Sequence, residues 1–214
     1  TLENSKLLVQ EATLEWTDSD IFMDLQGKGR LSAHDVHQAL LRDPRSQSFS
    51  EPLSLYPDVQ GDMHLSTRAT GTLTNPSQMH ILDGDLVLDG MHLSTTENRL
   101  PLHHITGHLS FNEQQIHIHR FNGMVGKSPV DIKGQWSFRK DSKASNLAMK
   151  GLWSSNDLQS LLPSVIQTFS AFEGQIGTTL TLSGPNLRPE YHAELDLTNM
   201  ALATKGLFQK PSGV

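Results

Sequence analysis

Eleven histidines in 214 residues are the first place to look for chemistry. The stretch QIHIH (115–119) puts His117 and His119 two apart, on one side of an extended segment, with Arg120 next. His103 and His104 open the preceding segment, which also carries His108. Imidazoles brought together across paired strands can hold zinc or copper. The local sequence, however, fixes no carboxylate at ligand spacing and the faces involved look wet. The histidines therefore read as polar-face residues, and no metal or other cofactor is expected. The run DGDLVLDG (83–90) offers Asp83, Asp85 and Asp89 but lacks the D-x-D-x-D-G order and distal Glu of a calcium loop, so it reads as turns flanking a strand. GKSPV (126–130) lacks the glycine spacing of a phosphate loop and leads into a strand rather than a helix. No G-x-S-x-G nucleophile elbow occurs. Nothing in these patterns argues for catalysis, and the chain is read as non-enzymatic.

The elements that would carry these residues are mostly strands. Period-2 alternation puts Leu8, Ala12, Leu14 and Trp16 on one side, then Ile21, Met23 and Leu25, then Met63, Leu65, Thr67 and Ala69. Further alternating stretches lie at 80–94, 103–111, 114–121, 129–138, 145–153, 174–183 and 190–202. About ten strands result, mostly neighbours in sequence, as in an antiparallel meander. Asn112 and Glu113 mark a hairpin turn between Phe111 and Ile116. Two stretches break the pattern, at 32–41 and 154–162. Each opens on a serine (Ser32, Ser154) with an aspartate three residues on (Asp35, Asp157), then shows apolar residues at helical spacing. The second is expected to stop at Pro163.

The helices are copies at an offset of 157 − 35 = 122. Downstream, Gly61, Gly71 and Pro76 fall on Gly174, Gly184 and Pro189 at an offset of 184 − 71 = 113. A unit of strand, short helix and strand is thus present twice. The expected layout is a first unit with its helix and linker over 1–60, central antiparallel strands over 61–150, and a second copy over 151–214 that continues beyond this chain. A duplicated sheet unit implies an open sheet that grows by addition, unlike a closed barrel.

Composition narrows the function classes. Hydrophobic residues make up 36%, below the ~45–50% of ordinary globular domains, yet they are regularly placed, so the chain is not a disordered one. The net charge of −6 and the absence of a basic stripe with interleaved aromatics argue against nucleic acid as a partner. With no cysteine there is no disulfide framework. No apolar run approaches the ~20 residues of a membrane helix. Aromatic residues at 6% and no paired carboxylates speak against a sugar-binding or glycoside-cleaving domain. The chain reads as a piece of a longer protein.

What remains is an apolar stripe: Leu86, Leu88, Ile105, Leu109, Phe111, Ile116, Ile118, Val130, Ile132, Trp136, Phe138, Leu147, Met149, Ile176, Leu180, Leu182, Tyr191, Leu195 and Leu197. Taken singly, each strand suits a sandwich core. Low apolar content, the duplicated open unit and the in-strand glycines Gly107, Gly134 and Gly151 favour a bent, open sheet instead.

Residues 103–136 carry an I-x-G-x-L-x-F strand, a hairpin, F-x-G-x-x-G-x-S-P-V and an alternating strand with glycine before tryptophan. With SSNDLQSLLP, EGQIGTTLTLSGP and LRPEYHAELDLTNMAL following in order, the chain resembles the AsmA-like envelope proteins, nearest to the YhdP and AsmA type and more distantly TamB. The resemblance spans most of 60–202 and, weakly, 6–41. It implies an elongated, curved, trough-like β-sheet with a hydrophobic groove, lined by the stripe above, through which phospholipid acyl chains pass between inner and outer membrane. It also implies a periplasmic location, an inner-membrane anchor outside this segment, and no catalytic residues. The alternative is a structural or assembly module that pairs its β edge with another envelope protein.

Overall fold

In the computed structural model, residues 4–16, 20–42, 54–72, 74, 80–95, 100–137, 145–184, 189–204 and 208–213 are described. Phe138 and Pro76 lie outside them. The described chain forms one twelve-stranded antiparallel sheet that does not close on itself. Its strands are β1 (Lys6–Trp16), β2 (Ile21–Ser32), β3 (Asp58–Thr72), β4 (His80–Ser94), β5 (Leu102–Asn112), β6 (Gln115–Val125), β7 (Ser128–Ser137), β8 (Ser145–Ser154), β9 (Ala171–Gly184), β10 (Glu190–Asp196), β11 (Met200–Thr204) and β12 (Phe208–Lys210). They pair in chain order up to β9, which then takes both β10 and β11 along its other side, with β12 on β11. Of the two strands beyond the ten that alternation suggested, one is β12, outside any alternating stretch, and the other arises because 190–202 is not one strand. It breaks at 197–199, where Met200 N donates to Leu197 O at 3.0 Å. Leu197, expected on the stripe, therefore sits in the break instead of a strand.

Helix α1 (Ala33–Arg42) joins β2 to β3, and α2 (Ser155–Leu161) joins β8 to β9. Both consequently lie at the same end of the strands, with the Asn112–Gln115 turn at the other. Pro163 does stop α2, as expected of a residue without an N–H, but it then opens a further short turn of helix, α3 (Pro163–Ile166). Asn112 shapes the β5–β6 turn, its Oδ1 accepting from the N–H groups of Gln114 at 2.9 Å and Gln115 at 3.0 Å.

The duplication extends further than the helix motif. In the second half, Asp157 Oδ2 accepts from Lys127 N at 2.8 Å and Ser128 Oγ at 2.6 Å, while Ser128 Oγ accepts from Ser154 N at 3.0 Å. In the first half, Asp35 Oδ2 accepts from Asn4 N at 2.9 Å and Ser5 Oγ at 2.8 Å, while Ser5 Oγ accepts from Ser32 N at 3.0 Å. One buried helix aspartate thus fastens the start of the strand two places back in the chain. That makes β1 the counterpart of β7. Gly61 and Gly174 match as well, with φ of 113° and 114°, values that suit glycine alone. A Cβ at Gly61 would strike Met91 Cα and Gly90 O, and one at Gly174 would strike Met200 Cα and Asn199 O. The broken β10–β11 pair is therefore the counterpart of the single, bulged β4.

Little of this sheet is fully buried. Among the described residues the buried apolar side chains are Ala33, Val59, Met63, Ile105, Ile166, Met200 and Leu202. Ala33, Val59 and Met63 form one cluster beneath α1, with Val36, Leu86, Leu88 and Met91 packed around it.

Candidate functional site: one apolar face across the sheet

In an antiparallel ladder, directly paired residues project from the same face, so register decides which side chains share a surface. Following partners across the sheet yields continuous rows. One runs Leu65, Leu86, Leu109, Ile118, Gly134, Leu147, Leu182, Tyr191. The next runs Met63, Leu88, Gly107, Phe121, Ile132, Met149, Leu180, Ala193. To one side lies Thr67, Gly84, Phe111, Ile116, Trp136. To the other lies Val130, Gly151, Thr178, Leu195, with Trp153 paired to Ile176 beyond it. Ile105 pairs with Met91 on the same surface. Every described member of the expected stripe except Leu197 falls on this one face.

Local alternation missed several members, because bulges change the count. On β1 the register slips between Val9 and Glu11, leaving Gln10 as the extra residue. Leu7 and Val9 thereby join Ala12 and Leu14 opposite Gly29, Gly27, Leu25 and Met23, whereas Leu8 faces Lys28 on the other side. The expectation that Leu8 shares a face with Ala12 is corrected accordingly. On β6 the register slips by one at His119, since Leu109 pairs with Ile118 and His108 with Arg120. Phe121 is returned to the apolar face opposite Ile132, where strict alternation from Ile118 would have put Arg120 instead.

Glycines recur on this surface beside large side chains. The Phe111 ring occupies the space a Cβ of Gly84 would need, Leu88 and Phe121 close over Gly107, and Trp153 lies over Gly151. A ring or branched chain folded over a glycine covers backbone that would otherwise face water. The effect is a low-relief apolar surface in which most members are half-buried by neighbours in the same layer.

No second sheet lies over the face among the described residues. α1 covers its helix end near β2–β4, and Leu86 and Leu88 pack against that cluster. Toward the terminal strands the face is bare: Trp16 is 70% exposed, Tyr191 67%, and Leu195 63%. Single exposed apolar residues need no explanation, but a contiguous apolar surface of this extent does.

The opposite face is polar and self-paired. Arg30 holds Asp62 with Nε–Oδ1 at 2.9 Å and Nη2–Oδ2 at 2.6 Å, and Arg68 holds Asp24 in the same bidentate way. These guanidinium bonds keep both carboxyls below their usual range. Isolated apolar residues (Leu8, Phe22, Val87, Leu152) also sit here. Among the described residues no helix is long and apolar enough to cross a membrane.

The fold is accordingly an open, single-layer antiparallel sheet with one apolar and one charged face. No family model, curated protein or solved structure matches the chain.

Proposed function

We propose that this chain is a segment of a bridge-like lipid-transfer protein whose apolar face carries phospholipid acyl chains. The supporting observation is the set of cross-strand rows from Leu65 to Tyr191 and from Met63 to Ala193, mostly half-exposed and, among the described residues, without a covering sheet. Such a surface offers an alkyl chain contact along its whole length, worth about 0.8 kcal/mol per CH₂ removed from water. It supplies no fixed polar anchor, which is what sliding requires. Glycine-flattened relief adds to this by removing steps across the strand direction. The sequence resemblance to AsmA-like proteins supports the same reading. With it come a periplasmic location, an inner-membrane anchor outside this segment, and non-enzymatic action. The role is to line a trough together with neighbouring units.

Native mass spectrometry of the segment purified from a phospholipid-containing host tests this. Co-purifying phospholipid, displaced by detergent and reduced in face variants, is the expected result. Recovery free of lipid, together with no transfer of phospholipid from vesicles, refutes it.

A second reading rests on the edges. Every residue of β1 and of β10 is exposed, and a bare strand edge is a template for strand addition. On that reading the segment is an assembly module, and crosslinks would run from β1 to a protein partner with no lipid on the face.

A further inference from the structure

We propose that the charged face carries a binding site for one divalent, imidazole-seeking transition-metal ion of the zinc class, built by Asp85 on β4, His108 on β5 and His119 on β6. Each of the three offers a ligand atom, and these atoms lie within 4.8 Å of one another. His108 Nε2 is already 3.2 Å from Asp85 Oδ1. A tetrahedral ion with bonds of about 2.0–2.1 Å needs its donors roughly 3.3–3.4 Å apart. That pair therefore stands at ligand spacing as it is, and a small rotation of the His119 ring completes three donors. Two imidazoles and a carboxylate form a zinc-type ligand set, with a fourth position for water.

The β6 bulge is the reason the site exists. His119 is the extra residue of that bulge, and it stacks on His108 at 4.6 Å and on His117 at 4.3 Å between ring centroids. The bulge sets His119 beside its neighbour on β5 as well as beside His117, a use of bulges common at functional sites. Ser110 Oγ, 2.8 Å from His119 Nε2, hydrogen-bonds that ring until it turns toward the ion. His103 and His104 belong to a separate group, with His103 Nε2 at Gly126 O. The sequence reading expected no metal because no carboxylate was fixed near the histidines. Asp85 is that carboxylate, 23 residues away in sequence and brought in by the β4–β5 register.

Such an ion would tie three consecutive central strands together on the wet face, leaving the apolar face untouched. The inference does not rest on the lipid reading. Calorimetric titration of the untagged protein with Zn²⁺ tests it, alongside Cu²⁺ electron paramagnetic resonance to count coordinated nitrogens. One ion per chain is expected, with affinity falling about tenfold or more in His108→Ala, His119→Ala and Asp85→Asn, and unchanged in His192→Ala on β10. All three ligand side chains are exposed, so the variants keep the fold, which circular dichroism verifies. Absence of saturable Zn²⁺ binding overturns the proposal, as does binding that both histidine variants leave within twofold of the parent.

Discussion

Replacing Asp157 with alanine is expected to cost about 3–4 kcal/mol of stability. The carboxylate is 6% exposed and accepts from Ser128 Oγ at 2.6 Å and from Lys127 N at 2.8 Å. Leaving a buried donor without its partner costs about 1–3 kcal/mol, more when the partner was charged. Ser128 is fully buried, so its hydroxyl has no route to water and incurs the upper part of that range. Lys127 is exposed and its N–H can turn toward solvent, so it contributes the lower part. Loss of an acidic residue from the first turn of α2 adds a few tenths. Urea unfolding followed by circular dichroism reads the sum. A change below about 0.5 kcal/mol, ordinary for an exposed position, would refute the claim that this aspartate fastens β7 to the helix.

The same residue predicts a pH dependence. Burial raises the Asp157 pKa, but the bonds from Ser128, Lys127 and Ser154 together outweigh it, so the folded value lies below the usual one. A carboxyl depressed in the folded state adds stability that is complete above its unfolded pKa of about 3.9 and fades as pH falls toward the folded value. The gap between the parent protein and Asp157→Asn should therefore be constant from pH 7 to about pH 5 and shrink below pH 4. A gap that widens on acidification contradicts this sign.

Other predictions follow from position on the two faces. Leu195→Asp, at a 63% exposed site, should lower stability by less than about 1 kcal/mol yet abolish lipid photocrosslinking along its row; a loss of stability as large as a core truncation would mean the face is packed. Met200→Ala removes a side chain with 0% exposure and should cost about 2–5 kcal/mol in the same urea assay; a neutral result would deny that Met200 is tightly packed. Gly134 has φ of 127°, and a Cβ there would run into Asn146 O, so Gly134→Ala should destabilise by about 1–3 kcal/mol or more, while an unchanged midpoint would show that this bend is not required. Arg68→Ala opens an exposed ion pair with Asp24 and should leave the midpoint unchanged at 0.15 M salt; a large shift would show the pair to be structural.

Much of the architecture is readable from the residues themselves, because period-2 alternation, hairpin turns and N-cap patterns are local. Tyr191, Ala193 and Leu195 fall on one face as their spacing predicts, and Ser154 caps α2 by accepting from Asp157 N. The Ser–x–x–Asp repeat marked both helices. What it could not reveal is that Asp35 and Asp157 reach back to Ser5 and Ser128, a pairing set by where β1 and β7 begin. Bulges are the second limit. One extra residue at Gln10 or His119 reverses the facing of everything beyond it, and the alternation of a single strand carries no mark of which residue the partner skips. Phe121, Leu8 and the Asp85–His108–His119 cluster were therefore decided by cross-strand register alone, which depends on hydrogen bonds between segments far apart in the chain. Whether the dry face would be covered was also a tertiary matter. Strand patterning specifies that a face is apolar, and only the arrangement of layers determines that, beyond the end beneath α1, no second sheet among the described residues meets it.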